Sequence, residues 1–322
     1  MGSTVVITGA SSGIGRATAH EFARKGASLV LASRRGEALD HVVDECAELG
    51  GEAIAVVTDV SDSKQVKALA QSALERFGRI DVWVNNASVS AYGSLSEIPL
   101  KDFRRVLDVN VLGYVYGCRQ ALQAFQLTGS GTIVNVASIV GEIPQPYAAP
   151  YAMAKAAVRA LGTSLRQELS LAKQKHISVS TVLPPTIDTP FFRHAANYSG
   201  RALLAMPPVY PPEKVAKAIA KAAAKPRAEI VIGAVGKAFV QAHRLQPIPT
   251  EMQMALQTNL TQLSPKRASA HTSGNLYEAP AAAEATVTGG WSGARRLTVR
   301  KAALGVLLLG GASFAAVRLS RR

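Results

Sequence analysis

The sequence predicts an α/β fold, namely a doubly wound parallel sheet with helices on both faces and a C-terminal extension. Three observations predict this fold. Short apolar runs alternate with longer helical stretches, a glycine-rich turn joins the first run to the first helical stretch, and polar motifs follow the ends of the runs. In such a sheet, ligands bind beyond the carboxyl ends of the strands. We therefore expect the polar motifs to share one site.

Strands and helices alternate through the first 235 residues. Strands are predicted at residues 4–8, 28–32, 53–57, 80–84, 132–137, 177–183 and 229–232, because these runs are short and apolar, as buried parallel strands are. Helices are predicted between them at residues 16–25, 36–49, 63–77, 100–125, 149–173 and 212–224. The first helical stretch is closed by Gly26.

The turn after the first strand has the composition of a phosphate-binding loop. Its residues are Thr8, Gly9, Ser11, Ser12, Gly13, Ile14 and Gly15, with the glycine spacing G-x3-G-x-G. Glycines let the backbone approach a pyrophosphate, and the following helix offers free N–H groups and the positive end of its dipole. A plain turn is the alternative, but the strand before it and the helix after it favour the phosphate loop.

The second strand is followed by Ser33, Arg34 and Arg35. A cofactor with only a ribose 2′-OH is usually held by an acidic residue at this place, and none stands here. Guanidinium groups suit a 2′-phosphate, so the sequence favours NADP(H) over NAD(H). The alternative is that these arginines only cap a loop of a basic protein.

Tyr151 and Lys155 are four residues apart, just over one helical turn, and Ser138 precedes the tyrosine by thirteen residues. The phenol and the ammonium should therefore share one helix face. A fixed cation beside a phenol favours the phenolate, so we expect the pKa of Tyr151 to fall toward neutral pH. Such a tyrosine can exchange a proton with an alcohol or carbonyl oxygen. The pair alone is weak evidence, because this spacing also recurs on ordinary exposed helices.

Together the motifs resemble the short-chain dehydrogenase/reductase family over about residues 3–235. The resemblance depends on the order of Thr8-Gly9-x3-Gly13-x-Gly15, Asn85-Asn86-Ala87, Asn110, Ser138 and Tyr151-x3-Lys155. It implies a Rossmann-like domain, a nicotinamide-dependent oxidoreductase that acts on an alcohol/carbonyl pair, and a homo-oligomer.

The resemblance also implies residue roles. Tyr151 would be the general acid/base, and Ser138 would hydrogen-bond the substrate oxygen. Lys155 would bind the nicotinamide ribose and lower the pKa of the tyrosine, while Asn110 would hold a water in a proton relay. The other implied cofactor contacts are Asp59, Val60, Asn86, Ala87, Pro184, Ile187 and Thr189.

Two positions depart from the family pattern. Ser88 stands where the family usually has glycine, and Pro185 replaces the glycine that follows the sixth strand. Proline removes an N–H and forbids positive φ, so the loop beside the nicotinamide is expected to differ in shape.

The segment from residue 190 to residue 210 is the expected lid over the substrate. It is rich in aromatic and other apolar residues, which suits an apolar carbonyl of the lipid, steroid or retinoid type. The alternative is that these residues pack on the sheet or on a partner subunit.

The predicted domain organisation has four parts. A catalytic domain spans residues 1–235, a helical extension 236–263, a flexible linker 264–296 and a transmembrane helix 297–319. The linker is inferred from its Ala, Ser, Thr, Pro and Gly content. Residues 302–317 carry no charge and have basic flanks, which predicts a membrane anchor. A buried C-terminal helix or an oligomer contact is the alternative.

The composition limits the remaining functions. Seven positive charges after residue 294 supply half of the net +14, so attraction to anionic lipid explains the charge better than nucleic acid does. Cys46, Cys118 and the six histidines show no metal spacing, so no metal is expected. Free core thiols indicate a reducing compartment, and we expect the catalytic domain in the cytoplasm. The rival hypothesis is a catalytically idle nucleotide-binding scaffold at a membrane.

Overall fold

The computed structural model describes residues 2–292 and confirms the predicted α/β fold. Seven strands form one sheet, and every pairing in it is parallel. These strands are β1 (Thr4–Thr8), β2 (Ser28–Ser33), β3 (Glu52–Val57), β4 (Val82–Asn85), β6 (Gly131–Val136), β7 (Ile177–Leu183) and β10 (Glu229–Val231). Four short strands form two further pairs: β5 (Ala91–Tyr92) with β8 (Ala196–Asn197), and β9 (Arg201–Leu203) with β11 (Leu263–Ala268).

The strand order of the main sheet is β10-β7-β6-β4-β1-β2-β3. The chain therefore reverses its direction of winding between β1 and β4. A reversal of this kind opens a crevice at the carboxyl ends of the two strands, which is where ligands of such sheets bind.

Helices cover both faces of the sheet. They are α1 (Gly13–Ala23), α2 (Gly36–Glu48), α3 (Ser63–Phe77), α4 (Leu100–Leu107), α5 (Gly113–Thr128), α6 (Ala149–Leu171), α7 (Phe191–His194), α8 (Pro212–Ala224), α9 (Ala234–Leu245) and α10 (Pro247–Gln257). Val5 and Ile7 of β1 pack in one apolar cluster with α1, α2 and α8. Val6 packs in the opposite cluster with α3 and α5. Because successive side chains of a strand point to opposite faces, a strand buried on both faces must be apolar at consecutive positions.

The helical stretch predicted at residues 100–125 is interrupted. The π-helix Asp108–Leu112 separates α4 from α5 and contains Asn110. The Asn110 Nδ2 atom donates to the Val89 carbonyl at 2.8 Å, and the Val89 N–H donates to Asn110 Oδ1 at 2.9 Å. Bulges of this type occur frequently at functional sites. This one carries a polar side chain to the segment that follows β4, which helical periodicity could not predict.

The C-terminal part of the described chain corrects the predicted linker. α9, α10 and the π-helix Thr258–Gln262 lie where the helical extension was predicted. Residues 264–292, however, begin in β11 and lie against the catalytic domain, with Leu276 and Trp291 buried. Composition misleads here because a few large side chains and many backbone carbonyls suffice to hold the segment. The predicted spanning helix at residues 297–319 falls outside the described residues, and none of the described helices is long and apolar enough to cross a membrane.

Candidate active site

The glycine-rich loop lies at the crevice and requires its glycines for close approach. Gly9 and Gly13 have φ values of +67° and +54°, which residues other than glycine rarely adopt. A Cβ at Gly9 would lie 2.8 Å from Ala87 Cα, and one at Gly15 would lie 2.1 Å from the Gly9 carbonyl oxygen. The loop after β1 is thus packed directly on the chain that follows β4.

Thr8 and Asn86 fix this contact between the two strand ends. The Asn86 and Ala87 N–H groups donate to Thr8 Oγ1 at 3.0 and 3.2 Å. The Asn86 Nδ2 atom donates to the carbonyls of Thr8 and Gly9 at 2.9 and 3.3 Å. Both side chains therefore hold the loop in place, through the Thr8 hydroxyl and the Asn86 amide nitrogen.

We expect Gly15→Ala to disrupt this loop, because its Cβ would also lie 2.7 Å from Asn86 Nδ2. Backbone must then move, so thermal unfolding should show a Tm lower by at least about 4 °C. Titration with a nicotinamide dinucleotide should show affinity weakened by at least about tenfold. The matched control is Gly36→Ala at the first position of α2, where a Cβ would meet only Val57 Cγ2 at 3.2 Å. If Gly36→Ala lowered the Tm and the dinucleotide affinity as much as Gly15→Ala does, the assignment of the glycine-rich loop as the cofactor loop would be contradicted.

The basic pair after β2 also faces the cleft, but its two arginines have different partners. The Arg35 Nη2 atom donates to Ser11 Oγ at 3.2 Å and to Ser12 Oγ at 3.0 Å. Arg35 Nη1 is buried without a hydrogen-bond partner among the described residues. Arg34 instead donates to backbone carbonyls of residues 275–277. The Ser33 hydroxyl accepts from the Arg35 N–H at 3.1 Å. An unpaired buried guanidinium nitrogen beside a glycine-lined cradle fits an anionic cofactor group.

The acidic residue after β3 is held by a third arginine. Asp59 Oδ2 forms an ion pair with Arg105 Nη2 at 2.5 Å, and Asp59 Oδ1 accepts from the Ser61 N–H at 2.9 Å. Burial alone would raise the pKa of Asp59, but the hydrogen bonds from Ser61 and Arg105 lower it overall. Asp59 is therefore ionised at neutral pH and stays at the edge of the cleft beside Val60.

The three residues expected to carry the chemistry meet at the ends of β6 and α6. Tyr151 and Lys155 lie in the first two turns of α6, with Lys155 Nζ 5.5 Å from the centroid of the Tyr151 ring. Lys155 Nζ donates to Tyr114 Oη at 3.2 Å and to the Val136 carbonyl at 2.9 Å. Ser138 Oγ accepts from the Val140 N–H at 3.2 Å. The structure thus has Tyr151 and Lys155 on one helix, and the Lys155 ammonium is directed to Tyr114.

Burial controls the protonation of this site. It raises the pKa of Tyr151 to about 12, and the Ser138 hydroxyl lowers that pKa only in part. It also lowers the pKa of Lys155 to about 7. The expectation that Lys155 brings the phenol pKa toward neutral pH is therefore wrong for this structure. Both side chains lie in the interior, where each charged form loses its hydration. At neutral pH Tyr151 is a protonated phenol that can donate.

The remaining predicted residues, Asn110, Pro184 and Thr189, make contacts within the protein that hold neighbouring segments together. Each polar group of the Asn110 side chain makes one hydrogen bond to Val89, and the relay water that the resemblance implies stays a prediction. The Pro184 carbonyl accepts from the Ile139 N–H at 3.0 Å. Thr189 is buried, and its methyl group lies against Gly13. The loop after β7 is therefore in contact with the glycine-rich loop through Thr189.

One cavity of about 240 Å³ brings most of these residues together. The predicted residues that line it are Gly9, Ser11, Ser12, Gly13, Ile14, Ser33, Arg34, Arg35, Asp59, Val60, Asn86, Ala87, Ser138, Tyr151, Lys155, Pro184, Ile187 and Thr189. Thr8, Gly15 and Asn110 are not in its lining and support it from behind.

The cavity also has lining residues from the predicted lid and from the C-terminal extension. Phe191 packs on Tyr151 with ring centroids 5.5 Å apart, and Phe192 follows at 5.4 Å from Phe191. Both lie in the predicted lid and form an apolar wall. The Gln262 Nε2 atom donates to Tyr92 Oη at 3.1 Å on the other side. No local signal marks Gln262, because it reaches the cavity only through the fold of the C-terminal extension.

Comparisons with known proteins agree with this geometry. The family model described as short chain dehydrogenase matches residues 3–198. The chain is 40% identical over 254 residues to the uncharacterized oxidoreductase YxnA of Bacillus subtilis, covering 78% of this chain and 70% of that protein. It is 36% identical over 226 residues to 3beta-hydroxysteroid dehydrogenase 1 of Eggerthella lenta, covering 68% and 85%. A short chain dehydrogenase/reductase structure from Burkholderia phymatum in complex with NAD is similar with a TM-score of 0.69 and 31% identity, covering 77% and 94%.

Proposed function

Because this chain belongs to the short-chain dehydrogenase family, whose model matches residues 3–198, we propose that it transfers hydride between NADP(H) and an apolar alcohol/carbonyl pair. Membership makes it an oxidoreductase that acts on alcohols or carbonyls. The observation that carries the finer proposal is the single cavity shared by Tyr151, the glycine-rich loop and the phenylalanine wall. Proton donor, phosphate cradle and apolar surface therefore face one space.

Tyr151 performs the proton transfer in this proposal. When bound, the nicotinamide supplies or accepts the hydride. Tyr151 donates its phenol proton to the substrate oxygen during carbonyl reduction and accepts a proton in the reverse direction. Its pKa of about 12 supports the donating form at neutral pH. Ser138 hydrogen-bonds the same oxygen, and Lys155 holds the ribose side of the cleft. Thr189 and Ile187 line the nicotinamide end.

The preference for NADP(H) rests on charge at the end of β2. Two arginines follow this strand directly, and no acidic residue stands between its end and α2. Asp59, the acid nearest the cleft on the next strand, is already paired with Arg105. A 2′-phosphate adds charge-assisted hydrogen bonds that a 2′-OH cannot make. The similar Burkholderia structure contains NAD, which supports a nicotinamide dinucleotide as the class of cofactor.

The apolar substrate is supported by the wall opposite the cofactor loop. Phe191, Phe192 and Met206 line the cavity beside Tyr151. Pockets of this composition recognise a ligand mainly by its apolar surface, with few polar groups to orient it. The Eggerthella relative is a 3beta-hydroxysteroid dehydrogenase by name, and a steroid is a substrate of this kind.

We expect purified protein to oxidise NADPH in the presence of an apolar ketone, with a steroid ketone as the first probe and pyruvate as the polar control. The kcat/KM ratio of NADPH to NADH should be at least about tenfold, the value of one charge-assisted hydrogen bond. The absorbance of the reduced nicotinamide measures both the oxidation of NADPH and the kcat/KM ratio of the two cofactors. If no ketone or alcohol of a broad panel consumes either cofactor, the idle scaffold is the better account.

We also propose that residues 297–319 attach the protein to a membrane, with the catalytic domain in the cytoplasm, from the sequence of that segment alone. We expect the full chain to sediment with anionic vesicles and a chain that ends at residue 293 to stay in the supernatant with its activity. Leu307→Asp with Leu308→Asp in the full chain is the matched control and should also stay in the supernatant. Sedimentation of the shortened chain would contradict the anchor. The homo-oligomer is a further proposal, which light scattering tests.

A further inference from the structure

The last described residues, 275–292, run along the cofactor cleft, and we name them the strap. The strap contains one short 3-10 turn, Ala282–Glu284, and otherwise irregular chain. Asn275, Ala279 and Pro280 line the same cavity as the glycine-rich loop. The Thr286 carbonyl accepts from the Gly13 N–H at 3.0 Å. The strap is therefore a wall of the cofactor site, contributed from far along the chain.

Arg34 holds the beginning of the strap. Its Nη2 atom donates to the Asn275 carbonyl at 2.6 Å, and its Nη1 atom donates to the carbonyls of Leu276 and Tyr277 at 3.1 and 3.0 Å. Arg105 Nε donates to the same Leu276 carbonyl at 2.8 Å. Three of the five N–H groups of this guanidinium therefore donate to carbonyls of the strap. Both terminal nitrogens of Arg34 are thus already used by the protein itself.

Other contacts of the strap lie outside the cofactor cleft. The Tyr277 hydroxyl donates to Asp102 Oδ1 at 2.8 Å, and the Leu276 side chain is fully buried. At the far end, the N–H groups of Gly289 and Trp291 donate to Asp188 Oδ1 at 3.0 and 2.8 Å. These contacts make the strap a fixed element whose beginning depends on Arg34.

Arg35 has the opposite surroundings. Its Nη2 atom is bound by the hydroxyls of Ser11 and Ser12 in the glycine-rich loop. Its Nη1 atom is buried and has no partner among the described residues. A buried donor without a partner is costly, and a phosphate oxygen is the acceptor that guanidinium binds best. The Ser11 and Ser12 hydroxyls rotate freely and can donate to the same anion.

We propose that the two arginines have separate roles: Arg34 anchors the strap over the cleft, and Arg35, with Ser11 and Ser12, binds the 2′-phosphate of NADP(H). This assignment rests on the proposed function, which treats the pair after β2 as the reason for NADP(H) preference. It makes Arg35 the specificity-determining residue. Arg34 is a positioning residue that acts on both cofactors equally, because the strap borders the cleft whichever cofactor is bound.

The test compares Arg34→Ala and Arg35→Ala in the full chain. Titration calorimetry gives the Kd of NADPH and of NADH for each variant. We expect Arg35→Ala to reduce the wild-type preference for NADPH by at least about tenfold, and Arg34→Ala to leave that preference within about twofold. Any change in Kd that Arg34→Ala causes should be the same for the two cofactors.

Limited proteolysis reports on the strap independently of cofactor. The strap contains Glu278 and Glu284 and no lysine or arginine, so a glutamate-specific protease can be followed there by mass spectrometry. Arg34→Ala should speed cleavage at these two sites, and Arg35→Ala should not. Tyr277→Phe is the matched control, since it loosens the strap from outside the cleft by removing the bond to Asp102. It should speed cleavage and keep the NADPH preference.

The outcomes separate the two proposals. Loss of NADPH preference in Arg34→Ala, alone or together with Arg35→Ala, overturns the division of roles. Unchanged strap cleavage in Arg34→Ala overturns the anchor. A wild-type protein without NADPH preference overturns the proposed cofactor and with it the role of Arg35, while the cleavage result still decides the role of Arg34. Thermal unfolding of each variant establishes that it is folded.

Discussion

Tyr151→Phe should lower kcat for carbonyl reduction by about 10²–10⁴-fold, the usual contribution of a positioned general acid. The substitution removes the phenol hydroxyl and keeps the ring, which packs on Phe191 with centroids 5.5 Å apart. Steady-state kinetics with NADPH and an apolar ketone measure the loss. The Kd of NADPH and the Tm should stay close to those of the wild type, because the ring packing is retained.

Tyr92→Phe is the matched control for this prediction. Tyr92 is a second buried phenol on the same cavity, and burial raises its pKa as well. Its hydroxyl accepts from Gln262 and lies on the substrate side, so we expect an effect mainly on KM. If Tyr92→Phe were inactive and Tyr151→Phe active, the proton donor would be Tyr92, and the proposed role of Tyr151 would be wrong.

Lys155→Met should abolish activity and raise stability. Lys155 is 1% exposed, and the ion pairs of the described residues do not include it. Its ammonium is therefore buried without an opposite charge, which is costly. Methionine fills a similar volume, and the Tyr114 hydroxyl keeps its bond to the Val136 carbonyl at 2.9 Å. We expect a Tm at least about 3 °C above that of the wild type at pH 7.

The pH dependence of this gain follows from the pKa of Lys155, which burial lowers from 10.5 to about 7. Between these two values the unfolded chain binds more protons than the folded chain, so the stability of the wild type rises with pH in this window. Below pH 7 both states are protonated, and the penalty is complete and constant. The Tm advantage of Lys155→Met should therefore be largest at pH 7 and below, and shrink toward pH 10.

Calorimetric melting of both proteins at pH 7 and pH 9.5 measures this difference. Lys155→Arg is a useful companion variant, because it retains a charge that does not titrate in this range. A Tm gain of the same size at both pH values would show that packing, and not the buried charge, is responsible. A lower Tm of Lys155→Met at pH 7 would contradict the prediction.

Local sequence predicts best those features of the fold that residues close together in the chain determine. The strand runs, the G-x3-G-x-G turn and the Tyr151/Lys155 spacing are all set within a few residues of one another, and the structure has them in the predicted elements. The interruption at Asp108–Leu112 was not predicted, because it depends on the bond between Asn110 and Val89 across 21 residues. The environment of Lys155 depends likewise on Tyr114, which lies 41 residues earlier.

The strap shows the same limit at a longer range. The composition of the strap, mostly small residues, predicts a linker. Composition does not reveal that the backbone carbonyls of the strap accept hydrogen bonds from a distant arginine. Arg34 and Asn275 are 241 positions apart, yet one bond of 2.6 Å joins them. The two arginines after β2 are equivalent in sequence, and only their partners separate them.

The sequence by itself determined the α/β fold, the order of the motifs and the shared helix of Tyr151 and Lys155, because periodicity and spacing act within single elements. Tertiary structure alone decided the pKa of Tyr151 and Lys155, the partner of each arginine and the wall that residues 275–292 add to the cleft. The reason is physical. The pKa of a buried group and the hydrogen-bond partner of a donor depend on residues that are distant in sequence. Those residues surround the group only when the chain has folded.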